Sequence, residues 1–172
     1  MRPTPELGAG GELPPVRAGD KHPDRKGGVL GEESPFFFLS GKVEEYMSEG
    51  VVTVEEDLPL EDALELFSRH HFHGLPVVNS RGEAVGIIRD SDILAVFMRR
   101  DPSVANLRMV KDIMSSPPPT ISPQEGVHKA VEKMFSNQTR LLVVVDREKK
   151  PQAVITRTDL IKAIRTRRVW DS

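Results

Sequence analysis

The chain contains one segment twice. Shifted by 67 positions without a gap, Val43 falls on Val110, Met47-Ser48 on Met114-Ser115 and Thr53 on Thr120. The same shift puts Ala63 on Ala130, Glu65 on Glu132, Val77-Val78 on Val144-Val145, Ile88 on Ile155 and Asp92 on Asp159. Register kept over such a span marks an internal repeat, and a repeat decides architecture before any propensity does. One unit of ~55 residues is marginal alone. Two copies packed face to face would share a core and a pseudo-twofold axis.

Within the first copy, Val43 to Met47 reads as a short helical turn or extended lead-in, and Val51 to Val54 as a strand. Leu60, Ala63, Leu64 and Phe67 fall at i, i+3, i+4 and i+7, which is one buried stripe of a helix. Pro59 suits its first turn, and Glu61 and Asp62 suit its N-terminal dipole. Leu75 to Val78 and Ala84 to Ile88 flank the turn residues Asn79-Ser80-Arg81-Gly82, as in a hairpin. A second helix is expected from Ser91 to about Arg100. The second copy repeats this with Val127, Ala130, Val131 and Met134, then Leu141 to Val145, Val154-Ile155 and a helix from Thr158 to about Arg168. Arg165, Arg167 and Arg168 suit the C-terminus of that helix. The fold class is α/β of the α+β kind: two β-α-β-β-α repeats.

A strand hands over to a helix at Thr156-Arg157-Thr158-Asp159, and again at Arg89-Asp90-Ser91-Asp92. The first amides of a helix lack intrahelical acceptors, so such a turn is a natural anion site. Thr156 offers a hydroxyl, and Asp159 offers two acceptors that a ribose diol can use together. The plain alternative is that Thr156 or Thr158 caps the helix and Asp159 is a favourable first-turn acid.

The 172 residues include 29% charged side chains at a net charge of -2, with no cysteine. That balance gives no sign of nucleic acid as an obligate partner. Disulfides and cysteine-ligated metals are excluded. The apolar runs fall short of a membrane span. Residues 1–35 are dominated by Pro, Gly and charge without apolar periodicity, and are expected to form a disordered tail. The tail has neither a basic start with an apolar core nor the acid-poor make-up of a transit peptide, so a cytoplasmic location is expected. An apolar lead-in, 36–42, follows; Phe36-Phe37-Phe38 is costly to leave in water and is expected to dock on the domain or a subunit interface, or to serve as a docking peptide for another protein. The remaining boundaries are 43–101 for the first repeat, 102–109 for a linker and 110–169 for the second repeat.

Over about residues 43 to 168 the chain resembles a pair of CBS domains, the tandem arrangement called a Bateman module. The resemblance rests on Met47-Ser48 and Met114-Ser115, on Leu75-Pro76-Val77-Val78-Asn79 and Leu142-Val143-Val144-Val145-Asp146, and on the turns ending in Asp92 and Asp159. It implies a regulatory module with no catalytic residues, binding an adenosine ligand in two clefts between the repeats. AMP, ADP, ATP, S-adenosylmethionine and a dinucleotide such as NAD all suit that pattern. In the family, the Ser/Thr of a Ser/Thr-x-x-Asp turn contacts phosphate and the Asp holds the ribose, which assigns Thr156 and Asp159 those roles. The resemblance puts Val51, Val52, Thr53, Phe72, His73 and Gly74 beside the adenine, and Arg157 is a possible phosphate contact. This is the primary cleft. The secondary cleft takes Arg89, Asp92, Thr120, Arg140 and Leu141. There Arg89 replaces the Ser/Thr and is itself a competent phosphate fork, while Pro118 and Pro119 lack the amides that read a purine edge.

His70, His71 and His73 raise a metal reading, but no Cys and no acid at ligand spacing joins them, and none is assigned. The chain shows no Walker loop, no dinucleotide-binding glycine run and no nucleophile-base-acid set, so an enzyme is not expected. Rival readings are a structural dimerisation module with empty clefts and a nucleic-acid-binding member of the family. A homodimer is expected because Ile93, Leu94, Val96 and Phe97, and Leu160, Ile161, Ala163 and Ile164, cover more than one narrow stripe. A regulated protein partner is the other expected route of output. Deleting residues 1–34 should leave stability nearly unchanged, whereas deletion through Leu39 should lower it; equal melting of the two truncations would count against docking of Phe36 to Phe38.

Overall fold

In the computed structural model, which describes residues 36–99 and 102–167, both copies fold as β-α-β-β-α. The first comprises β2 (Val54–Glu55), α1 (Leu60–Arg69), β3 (Gly74–Val78), β4 (Ala84–Arg89) and α2 (Asp90–Met98). The second comprises β5 (Thr120–Ile121), α3 (Val127–Ser136), β6 (Leu141–Val145), β7 (Pro151–Thr156) and α4 (Arg157–Lys162). A strand β1 (Phe36–Leu39) precedes them, and β8 (Ile164–Arg167) ends the described chain. Helix α1 buries Ala63 on its stripe, and α3 buries Val127, Ala130 and Met134 on the matching one. The two hairpins turn by the same chemistry. Asn79 Oδ1 accepts the amides of Arg81 and Glu83 at 3.0 Å each. Asp146 Oδ1 accepts those of Glu148 and Lys150 at 2.8 and 2.9 Å. Even the irregularity in the ladder recurs, between Val77 and Val78 and between Val144 and Val145.

Each copy forms its own three-stranded sheet, ordered β2-β3-β4 and β5-β6-β7, with the first pair parallel and the second antiparallel. The expected strand over Val51 to Val54 is cut to Val54–Glu55. Its partner explains why. Val54 pairs with Val77, which would set Thr53 opposite Pro76, and a proline has no amide to donate. In the second copy the equivalent residue is Val143, whose N–H donates to Pro119 O at 2.9 Å, and there the ladder starts one position earlier, at Thr120.

The copies are tied together by exchanged lead-ins. Val43, before the first copy, is buried in the second copy's core with Leu142, Val144 and Ile155, and Tyr46 and Met47 pack against the same cluster. Val110, before the second copy, is buried in the first copy's core with Val77 and Ile88, and Ile113 and Met114 follow it. Backbone bonds fix both crossings: Val43 N–H to Glu125 O and Val110 N–H to Leu58 O, each 2.9 Å. The turn at Val110–Asp112 is capped by Asp112, whose carboxylate accepts the amides of Arg108 and Met109, and these hold its pKa below the ordinary value. Between the sheets, Ile87, Leu141 and Val143 form a third cluster that belongs to both copies.

The symmetry breaks at the end of the second copy. The helix expected to run to about Arg168 stops at Lys162. Ile164–Arg167 instead pairs antiparallel with Phe36–Leu39, Phe36 opposite Arg167 and Leu39 opposite Ile164. Arg165 and Arg167 therefore lie on a strand, not at a helix C-terminus; Arg168 and the tail 1–35 lie outside the described residues. The β-branched positions Ile164 and Thr166 tolerate a strand as well as a helix, and the partner strand decides. Arg165 Nη1 donates to Lys162 O at 2.7 Å, and Nη2 to the Tyr46 hydroxyl at 2.9 Å. Leu39 packs on the second core. The 36–39 segment is thus held by backbone strand pairing, while the Phe38 side chain stays 39% exposed. Among the described residues no helix is long and apolar enough to cross a membrane.

The exchange of lead-ins makes a direct prediction. Val43→Ala should destabilise the chain by about 1.5–3 kcal/mol. In double-mutant cycles it should couple to Val127→Ala, its neighbour in the second core, and add to Val77→Ala in the first core within about 0.5 kcal/mol. The reverse pattern in chemical denaturation would mean that Val43 supports its own repeat.

Candidate functional site

Thr156 is the last residue of β7 and the N-cap of α4. Its hydroxyl donates to Asp159 Oδ2 at 2.8 Å, and its own N–H donates to the same oxygen at 2.9 Å. The Asp159 amide returns a longer bond of 3.4 Å to Thr156 Oγ1. This is a reciprocal capping box. The local helix-start role is therefore real, and it consumes one carboxylate oxygen. The other, Oδ1, faces Lys162 Nζ at 3.6 Å. The Asp159 side chain as a whole is 18% exposed. Helix α4 is too short for its dipole to bind an anion strongly, and side chains must supply any such hold.

Arg157 turns toward its own repeat. Its guanidinium lies 5.4 Å above the Phe135 ring, and Nη2 donates to Thr139 O at 3.4 Å. Its backbone N–H donates to Arg140 O at 3.1 Å. Arg140, expected at the first turn's cleft, is thus backbone-bonded to the second turn. Leu141 is different: it pairs with Thr156 across the hairpin and also reaches the first repeat. A methyl added at Gly74, the position equivalent to Leu141, would lie 2.9 Å from Leu141 Cδ2. Gly74 and Leu141 therefore meet where the copies meet, as a pseudo-twofold axis requires.

The first turn has the same frame with a different residue. Asp92 Oδ2 accepts the Arg89 N–H at 2.9 Å and Arg89 Nε at 3.1 Å. Arg89 Nη2 then donates to Ser115 Oγ at 2.7 Å. Ser115 had no role in the sequence reading; its recurrence with Ser48 was the available signal. Ser48 pins the other lead-in to β7. Its backbone N–H and its Oγ donate to Val154 O at 3.0 and 3.1 Å, and its Oγ accepts the Val154 N–H at 3.1 Å. Val51, Val52 and Thr53 follow directly from a point two residues short of Thr156. Val51 is half-buried, Val52 is 48% exposed and Thr53 is exposed.

Phe72 and His73 attach to the first repeat's own turn. Phe72 packs edge-on to Phe67 at 6.5 Å and against the His70 ring at 5.2 Å. His73 Nδ1 lies 3.7 Å from Asp90, and His73 O accepts the Asp90 N–H. Thr120 is half-buried in β5, and its carbonyl accepts Lys133 Nζ at 3.2 Å. Two sizeable hollows lie beside these elements, the first reaching the first turn at Asp90. One, of about 400 Å³, is lined by Leu64, Phe67, Phe72, the three histidines 70, 71 and 73, Asp90, Ile93 and Leu94, among others. The other, of about 460 Å³, lies among Ser122, Pro123, Gln124, Val145, Asp146 and Arg147.

Comparison with known proteins matches the CBS domain family at residues 43–99 and again at 110–166. Among curated relatives, inosine-5'-monophosphate dehydrogenase of Methanocaldococcus jannaschii is 29% identical over 121 residues, which is 70% of this chain and 23% of that enzyme. A CBS domain-containing protein of Dictyostelium discoideum is 32% identical, over 69% of this chain and 88% of its own length. Several of these relatives are far longer: the matches cover 23%, 44% and 24% of three of them. Among solved structures, CBSX2 in complex with AMP superposes with a TM-score of 0.65 at 25% identity, over 72% of this chain and 96% of that one; CBSX2 is a CBS-pair protein of Arabidopsis thaliana. A CBS domain pair in complex with 5'-methylthioadenosine and S-adenosyl-L-methionine shares the fold, with a TM-score of 0.63 at 23% identity, over 71% of this chain and 94% of that one. With both matched segments coinciding with the two β-α-β-β-α copies, the chain belongs to the CBS domain family, of which it carries a tandem pair.

Proposed function

We propose that the pair is a non-catalytic regulatory module that binds an adenosine ligand at the Thr156–Asp159 turn and reports its level through a dimer or a regulated partner. The observation that supports this reading most is the Asp159 carboxylate: it caps its helix with one oxygen, and the second faces Lys162, at 3.6 Å, on a side chain that is 18% exposed. A vicinal diol would use that oxygen. The likeness to CBSX2 with AMP supports an adenosine-bearing ligand. AMP, ADP and ATP are the first ligands to test, followed by S-adenosylmethionine and NAD.

In this reading Val51, Val52 and Thr53 give the purine an apolar wall and backbone groups, and Gly74 keeps the seam open. Arg157 swings from Phe135 to a phosphate, and Thr156 lends its hydroxyl to one. Phe72 and His73 contribute from the rim, through the turn at Asp90. The second cleft is built on Arg89 and Asp92 with Thr120, Arg140 and Leu141. Energy sensing in the cytoplasm is the physiological setting proposed.

Leu94, Phe97 and Met98 on α2, and Ile161 on α4, are exposed by 64%, 73%, 83% and 66%. Ile93, Val96 and Leu160 on the same helices are buried. The helices thus carry apolar surface on two faces, which supports a homodimer formed through them. Phe97→Glu should convert a dimeric sedimentation coefficient to a monomeric one; a parent protein that is monomeric at all concentrations would end the dimer proposal.

Asp159→Ala should weaken AMP about tenfold or more in calorimetric titration, as loss of a charge-assisted bond of roughly 1.5–3 kcal/mol requires. Its apo form should lose about 0.5–2 kcal/mol, the range for a lost helix cap. Asp159→Asn should recover most of that stability and little of the binding. Thr156→Val should hurt AMP more than adenosine. Unchanged AMP affinity in a folded Asp159→Ala protein would leave the carboxylate as a cap alone and favour a scaffolding role.

A further inference from the structure

The two turns occupy equivalent places in the repeats, yet their first residues differ in what they do to the space in front of them. At the second turn the carboxylate oxygen Oδ2 receives Thr156 N–H and Thr156 Oγ1. At the first turn Oδ2 receives Arg89 N–H and Arg89 Nε at 2.9 and 3.1 Å. Arginine has therefore taken over the hold that threonine has on its aspartate. Threonine ends there. The guanidinium continues across the seam and donates from Nη2 to Ser115 Oγ, on the lead-in of the other repeat, at 2.7 Å. The equivalent serine, Ser48, is instead bonded to the Val154 and Gly50 backbone, which leaves its seam free of such a bridge. Gly74 is shaped to this arrangement, since a methyl there would lie 3.2 Å from Arg89 Cγ. The Arg89 and Asp92 side chains are 28% and 18% exposed.

We propose that Arg89 is a built-in latch that closes the Asp92 cleft, so that the module takes one adenosine ligand per chain, at Asp159. The inference rests on the adenosine reading of the Asp159 turn and adds that the two clefts are unequal by design of one residue. Two features of the geometry drive it. The guanidinium fills the position that a ligand phosphate would take beside a Ser/Thr at this turn. It also holds the Asp92 carboxylate through Nε at 3.1 Å, a side-chain grip that reaches on to Ser115 and has no counterpart at Thr156. A ligand that used the Asp92 Oδ2 and the space before Ser115 would have to displace the Nε–Asp92 and Nη2–Ser115 bonds.

The test is calorimetric titration of the full chain with AMP, using the parent, Arg89→Thr, Asp159→Ala and the Arg89→Thr/Asp159→Ala double variant, each shown to be folded by its melting transition. The parent should bind one AMP per chain and lose it in Asp159→Ala. Arg89→Thr should bind two, and the double variant should keep one. If the parent binds none and Arg89→Thr binds one, the latch stands and the Asp159 reading falls. Should the parent bind one and Arg89→Thr still bind one, the latch falls and the Asp159 reading stands. Two AMP in the parent, one of them weakened by Arg89→Thr, would make Arg89 a phosphate fork and overturn the latch. No binding in any of the four overturns both proposals. Ser115→Ala removes the far anchor while sparing the turn. If Arg89→Thr does not fold, a second AMP site in Ser115→Ala supports the latch and its failure to appear overturns it.

Discussion

The burial of Val43 in the second core and of Val110 in the first is the contact on which the rest of this structure depends. Each is fully buried, and burying a valine contributes about 1.5–3 kcal/mol. Because each lead-in crosses to the other copy, neither repeat completes its core alone. The crossing also sets the functional geometry. Ser48 reaches Val154 and Ser115 reaches Ile87 and Arg89 only because the segments bearing them have crossed. The residues that follow, from Val51 to Thr53 and from Pro118 to Thr120, are thereby strung past turns that belong to the opposite copy. The stability of the pair and the placement of these segments come from the same interaction.

The aspartates of the two turns show how much a local motif leaves in hand. A carboxylate has two oxygens and more acceptor capacity than a helix cap uses. One oxygen of Asp159 satisfies helix-start geometry, and the other faces Lys162. In the first turn the same frame is met by arginine, whose length turns a local cap into a bridge between repeats. A one-residue difference in otherwise matched turns changes the reach of the donor.

Much of this architecture is legible in the sequence because it is carried by short-range pattern repeated in register. The stripe at Leu60, Ala63, Leu64 and Phe67, the hairpin turns at Asn79 and Asp146, and the offset joining Asp92 to Asp159 are local facts, and the observed elements follow them within a residue or two. The shortened strand before Val54 was also foreshadowed, since Pro76 has no amide, but the register that sets Pro76 opposite Thr53 depends on how β2 meets β3. The bonds that tie His73 O to the Asp90 N–H and Arg140 O to the Arg157 N–H likewise follow from the hairpin ladders and not from the neighbourhood of either residue in the chain.

What the sequence determined by itself is therefore the repeat, the fold of each copy and the two aspartate turns, because periodicity and turn chemistry act over a few residues. Tertiary structure alone decided the exchange of lead-ins, the conversion of Ile164–Arg167 from the end of a helix to a strand beside Phe36–Leu39, and the reach of Arg89 to Ser115. Those three depend on partners that are tens of residues or more than a hundred away. A valine, a β-branched pair or an arginine is compatible with several local settings, and the partner that arrives selects one.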